Sequence, residues 1–229
     1  MSIDWQSWFT CNIAKRGGLF KFMYDSWVFS SPLYDALFRM LPPSRKLIDV
    51  GCGYGGSTIL LACLGYQVTA IDLDEEMLRH AVANASLFEK VGSTPVAFEL
   101  ADAFDLSKYY GKYDVAFSDG VIEHFEYKEA ARAIREQAKT ARYVAVAVPT
   151  RYLDEPFDGY RYPYTLRSLV ALCKRCDLET VRSFAFGNPP QRHLIALRRI
   201  APETLWHRVF RRLFATKAAC ICRSHQFEK

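Results

Sequence analysis

Leu47-Ile-Asp-Val-Gly-Cys-Gly-Tyr-Gly-Gly56 is the stretch that carries the most structural information. Lys46 to Val50 is an apolar run, the mark of a strand buried on both faces. It runs straight into clustered glycines and then into Ser57 to Leu64, a short apolar helix closed by Gly65. Glycines at such a turn let the backbone approach a ligand closely. The free N–H groups at the helix start favour polar or anionic ligand groups. Gly51, Gly53 and Gly56 satisfy G-x-G-x-x-G, a pattern that a dinucleotide site shares.

Working outward, residues 4–41 read as helical and strongly aromatic, and Pro42-Pro43 ends them. Beyond the glycine turn, strands are expected at Gln67–Ile71, Pro95–Leu100, Tyr113–Ser118 and Arg142–Val148. Helices are expected at Glu75–Val91, Glu129–Thr140 and Thr165–Cys176, with Asp74 as the N-cap of the first. Thr180–Phe186 and His193–Arg199 close the pattern as two strands with no helix between them. The alternation predicts an α/β fold in three layers: a Rossmann-like, seven-stranded, mostly parallel sheet with one antiparallel strand and helices on both faces. Right-handed crossovers then gather the loops after the strands on one edge, where ligands bind. Three regions follow: an N-terminal helical cap (1–44), the ligand-binding domain (45–200) and a basic C-terminal extension (201–229).

Composition narrows the function. Half of the 229 residues are hydrophobic and about a quarter charged, as in a soluble globular protein. The start, MSIDWQSWFTCNIAKRGG, lacks a basic segment followed by an apolar run, so no secretory signal is expected. No run approaches the ~18 apolar residues of a membrane span. Seven cysteines, an odd number, argue against a disulfide framework and for a cytoplasmic location. Cys173-Lys-Arg-Cys176 and Cys220-Ile-Cys222 have the makings of a four-thiolate zinc site, but short pairs alone are a loose match. Cysteine in a Leu-Val-Ala-Leu-Cys helix behaves as a small apolar residue, so no metal is expected. The net charge of +5 is uneven: residues from Arg192 onward carry +7 and the rest −2. With a near-neutral body, no nucleic-acid footprint covers the fold.

Candidate chemistry sits at the strand ends. Asp72 ends the second strand, 21 positions after Gly51, placed to accept from two ribose hydroxyls. Asp49 lies inside the first strand and needs donors once buried, either organising the turn or reaching a ligand's amino end. Asp102 follows the third strand, suited to an adenine amino group. The fourth strand leads into Ser118-Asp-Gly-Val-Ile-Glu-His124.

Together these segments resemble the class I S-adenosylmethionine-dependent methyltransferases of the small-molecule type. Leu47–Gly55 looks like their first motif, Ala70–Asp72 their second and Ala101–Ala103 their third, with Tyr113–Asp114 through Val121–His124 their fourth. The resemblance covers residues 45–200 and implies S-adenosyl-L-methionine as cofactor. It implies that Gly51 and Gly53 pass beneath the methionine part and Asp72 holds the ribose. Leu73 and Met77 would pack on the adenine, and Asp102 with the Ala103 N–H would read its edge. The backbone near Ser118 and Asp119 would hold the methionine ammonium. Asp119 departs from the small or amide residue expected there; it either contacts the acceptor or shapes the turn. Met77 also suits plain core, and His124 a turn cap, although its position makes it the candidate base.

The acceptor is expected to be a small molecule, between the N-terminal helices and the aromatic, acidic loop Pro149–Tyr164, which holds Asp154, Glu155 and Asp158. That loop serves equally as a lid. Residues 202–214 form a basic amphipathic helix, docked on the domain or applied to a membrane surface or acidic partner. Two other activities share parts of the pattern. A nicotinamide-dependent oxidoreductase explains the glycine turn and Asp72 but not Asp102 or Ser118–His124, and an RNA methyltransferase draws only on the basic tail.

Overall fold

The computed structural model describes residues 4–41, 45–89, 94–150, 164–187 and 215–227. Two helices come first, α1 (Trp5–Lys15) and α2 (Leu19–Met40). The α/β part follows as β1 (Lys46–Val50), α3 (Gly56–Cys63), β2 (Gln67–Asp72), α4 (Glu75–Glu89), β3 (Ala97–Leu100), β4 (Tyr113–Asp119), α5 (Tyr127–Thr140), β5 (Ala141–Pro149), α6 (Leu166–Arg175), β6 (Leu178–Phe186) and β7 (Lys217–Ser224).

The strands form one sheet in the order β3-β2-β1-β4-β5-β7-β6. All neighbours are parallel except β7, which runs antiparallel to both β5 and β6. The expected mixed sheet of seven strands is therefore present, but its seventh strand is not the expected one. His193–Arg199 and the helix at 202–214 lie outside the described residues. Lys217–Ser224, assigned in the sequence to a C-terminal extension, is instead an interior strand of the sheet. Ala218 to Cys222 are all buried, because β5 and β6 flank β7 and helices cover both faces. That segment belongs to the α/β unit and not to a tail.

Side-chain alternation sorts the core into two halves. Leu47, Val115, Phe117, Ala219 and Ile221 face α2 and α3. Val144, Val146, Ala218, Cys220 and Cys222 face α5 and α6. Helix starts follow their caps. Asp74 caps α4 by accepting from the Glu76 and Met77 amides, as expected, and Thr165 caps α6 in a capping box with Ser168. Pro32 sits inside α2 and offers no N–H to the carbonyl of Val28. The Ser31 hydroxyl donates to that carbonyl at 2.8 Å, so the helix continues through the proline.

Candidate functional site

Strand order reverses between β1 and β4, and at such a switch point the crevice at the carboxyl ends of the strands is open to a ligand. The glycine turn leaves β1 there. The Gly51 and Cys52 amides both donate to the Ile71 carbonyl, at 2.9 and 3.0 Å. Gly51 has a φ of 76°, and a Cβ on it would lie 2.6 Å from Val121 Cγ2. Glycine is therefore required at this position for conformation and for space.

Asp72 is mostly buried at the end of β2. One carboxylate oxygen accepts from the Gly53 amide at 2.8 Å, the other from the Asp74 amide at 3.0 Å. Burial raises its pKa, opposed by these backbone donors. Asp72 thus braces the turn and keeps lone pairs for a diol. Beside it Leu73 is 70% exposed, as an apolar platform for a ligand requires, whereas Met77 is buried. Asp102 is exposed after β3 and accepts from the Phe104 amide at 2.9 Å, with half-buried Ala103 between them.

Asp49 is buried inside β1, and Thr58 Oγ1 of α3 donates to it at 2.5 Å. Burial pushes its pKa up to about 7, and the Asp119 and Asp72 charges add to the rise. Of its two expected roles, the structure displays the organising one: it fastens the helix after the turn to the strand before it. The Ser118 hydroxyl is buried and donates to Gln137 Oε1 of α5 at 3.2 Å, so its side chain is a structural tie.

Asp119 has a partner that the sequence did not disclose. Lys217 Nζ, at the start of β7, donates to both carboxylate oxygens at 2.6 and 2.7 Å and to Ser30 Oγ at 3.3 Å. It also lies 5.7 Å from the centre of the Phe29 ring. This nearly buried ion pair ties β4, β7 and α2 together at the ligand edge, and it occupies the carboxylate that was offered to the acceptor.

Glu123 is a second residue that the sequence did not single out. Its carboxyl group is fully buried in the short turn Ile122–His124, and Oε2 has no hydrogen-bond partner. Burial pushes its pKa up to about 8; Asp119 raises it further and Lys217 opposes the rise. His124 Nε2 lies 3.7 Å from Glu123 Oε1. Buried Tyr164 also has an unpartnered hydroxyl, and its pKa is raised by burial and then by Glu123. Asp154, Glu155 and Asp158 lie outside the described residues.

Helix α1 roofs the turn. Phe9 stands 3.5 Å from where a Cβ on Gly53 would be and packs on Tyr54 with ring centres 4.7 Å apart. Gln6 donates to Glu76 of α4 at 2.8 Å. The Trp27 indole donates to the Gly56 carbonyl at 2.7 Å, and Tyr34 shares a hydrogen bond with Ser57 at 2.8 Å.

Residues 47–142 match the model of a methyltransferase domain family. The chain is 29% identical over 129 residues to the probable S-adenosylmethionine-dependent methyltransferase Rv3030 of Mycobacterium tuberculosis, covering 54% of this chain and 43% of that protein. It is 31% identical over 98 residues to ajmaline N-methyltransferase of Rauvolfia serpentina, covering 42% and 32%. The matches thus span less than half the length of these relatives. Magnesium protoporphyrin IX methyltransferase from Synechocystis PCC 6803, solved with bound S-adenosylmethionine, superposes with a TM-score of 0.62 at 18% identity over 89% of this chain and 81% of that one, a likeness of fold. By matched domain, sheet architecture and glycine turn, residues 47–142 are a methyltransferase domain of the class I S-adenosylmethionine-dependent family.

Proposed function

We propose that this chain binds S-adenosyl-L-methionine and moves its methyl group to a nitrogen or oxygen of a small acceptor. The observation that carries the proposal is the glycine turn at the switch point, braced by Asp72 through the Gly53 amide. The residues present fit the cofactor. Gly51 and Gly53 leave room that a Cβ on Gly51 would remove, Asp72 offers acceptors to a diol, Leu73 offers an apolar face, and exposed Asp102 offers an acceptor to an amino group. When bound, the cofactor supplies an electrophilic methyl carbon on a sulfonium.

The protein's own part is orientation and proton handling. Alignment in a shared site contributes about 7–11 kcal/mol to such a displacement. Helix α1 lays Phe9 over Gly53 and Tyr54 of the turn. The Asp119–Lys217 pair fixes the end of β4 without presenting a net charge. His124, at the ligand edge with the buried Glu123 carboxyl 3.7 Å away, is the candidate to accept the proton of an acceptor N–H or O–H. A relative named as an N-methyltransferase supports nitrogen as one acceptor atom.

Isothermal titration with S-adenosylmethionine, S-adenosylhomocysteine and NADH tests the cofactor. Micromolar binding of the adenosyl compounds with none for NADH is expected. NADH binding without adenosyl binding overturns the proposal.

A further inference from the structure

The face of β7 opposite α2 carries a feature that methyl transfer leaves unused. Cys220 and Cys222, two residues apart, project to the same side of the sheet. Cys173, from the last turns of α6, meets them there. The three Sγ atoms all lie within 4.8 Å of one another, and those of Cys220 and Cys222 are 3.3 Å apart. All three residues are fully buried, among Leu169, Leu172 and Val146. Cys176 is turned away, its Sγ 3.5 Å from the Ala131 carbonyl. An oxygen borders the group, since Thr180 Oγ1 lies 3.9 Å from Cys220 Sγ.

We propose that Cys173, Cys220 and Cys222 bind one soft metal ion of closed d-shell, monovalent copper or zinc, through three thiolates. Metal–sulfur bonds of ~2.3 Å hold ligand sulfurs about 4 Å apart. The Cys220–Cys222 pair is 3.3 Å apart and no pair exceeds 4.8 Å, so side-chain shifts of about 1 Å complete the set. An all-sulfur donor set selects copper(I) or zinc over magnesium, calcium or manganese. Binding is not a redox step: each thiol releases its proton to solvent as its sulfur bonds the metal.

A disulfide fits less well. Residues two apart on one strand have Cα atoms about 6.6–6.8 Å apart, at the far limit for a bridge, and any pairing within the trio leaves one thiol over. The ion would not take part in methyl transfer. Cys220 pairs with Val146 and Lys217 with Pro149, three residues along the strand, which is about 10 Å. Its effect would be to pin α6 onto β7, the strand that delivers Lys217. Because the sulfurs are sealed, the ion enters as the chain folds.

The test uses the full chain refolded anaerobically in reductant with zinc, with copper(I), or with neither, then passed over a chelating resin. Metal is counted by mass spectrometry, and cadmium serves as an optical probe through its thiolate charge-transfer band. One equivalent of zinc or copper per chain is expected, with a thiolate charge-transfer band when cadmium takes its place and a higher melting temperature than the metal-free chain. Cys176→Ala keeps the equivalent, whereas Cys173→Ala, Cys220→Ala and Cys222→Ala each lose most of it. Retention below 0.1 equivalent with both ions, or full retention in all three variants, overturns the proposal. If those variants fail to fold, the wild-type chain still decides: less than 0.1 equivalent of retained metal, or a cadmium-loaded chain with no thiolate charge-transfer band, refutes it.

Discussion

Gly51→Ala is the perturbation whose cost the structure fixes most closely. The left-handed backbone at φ 76° costs a residue with a Cβ about 1–2 kcal/mol. The new methyl would also lie 2.6 Å from Val121 Cγ2 and 3.2 Å from Cγ1. Relief requires a χ1 rotation of the valine, which β-branching resists, so overpacking adds about 1–3 kcal/mol. The variant should lose about 2–5 kcal/mol, a drop of about 4–20 °C in melting temperature at roughly 2–4 °C per kcal/mol. Val121→Ala removes the clash and leaves the backbone strain. In that background Gly51→Ala should therefore cost only about 1–2 kcal/mol more. Urea and thermal unfolding of the four proteins give the coupling. Additivity within about 0.5 kcal/mol would show that Gly51 and Val121 do not meet as described.

Lys217→Met should cost about 3–5 kcal/mol by stranding the buried Asp119 carboxylate, with much of it recovered when Asp119→Leu is added; a single variant as stable as wild type in urea unfolding would contradict the pair. Glu123→Gln bears on pH. The folded pKa of Glu123, about 8, exceeds the ordinary 4.5, so its protonated form stabilises the fold at low pH and that contribution is lost as pH rises from 4.5 through 8. Glu123→Gln should gain stability relative to wild type across that window; a constant difference from pH 5 to 8 would mean that the carboxylate is ionised and paired. Asp72→Asn should weaken S-adenosylmethionine binding about 10- to 100-fold, from the loss of charge-assisted hydrogen bonds of about 1.5–3 kcal/mol; unchanged calorimetric affinity would remove Asp72 from the site.

The glycine turn, Asp72 and the alternating elements were legible because their signals are local. A strand, a turn and a helix start within ten residues carry their own period and punctuation. Asp49 was legible as a buried acid, and Thr58 nine positions on supplies its donor. Lys217 was not legible, since its partner lies 98 residues away and the surrounding basic charge drew attention from the apolar run Ala218 to Cys222. That run was the available signal, because an uninterrupted apolar stretch is how a strand buried on both faces reads. The unusual Asp119 announced that something was needed there without saying what. Glu123 escaped because burial within a three-residue turn has no periodic signature, and the imidazole next to it was the more conspicuous acid–base group.

The position of β7 has a consequence for how the molecule is made. It is the last of the described strands but occupies an interior place in the sheet, between β5 and β6. On the ribosome, β1 to β5 can assemble while β6 waits for β7, its neighbour among the described strands. Until residues 217–224 emerge, β5 offers an open edge of the kind that recruits other chains. Closure of that gap is a long-range event, which favours slow completion. The arrival of Lys217 beside Asp119 is part of the same closure, so the nascent chain acquires its ligand edge and loses its exposed edge together.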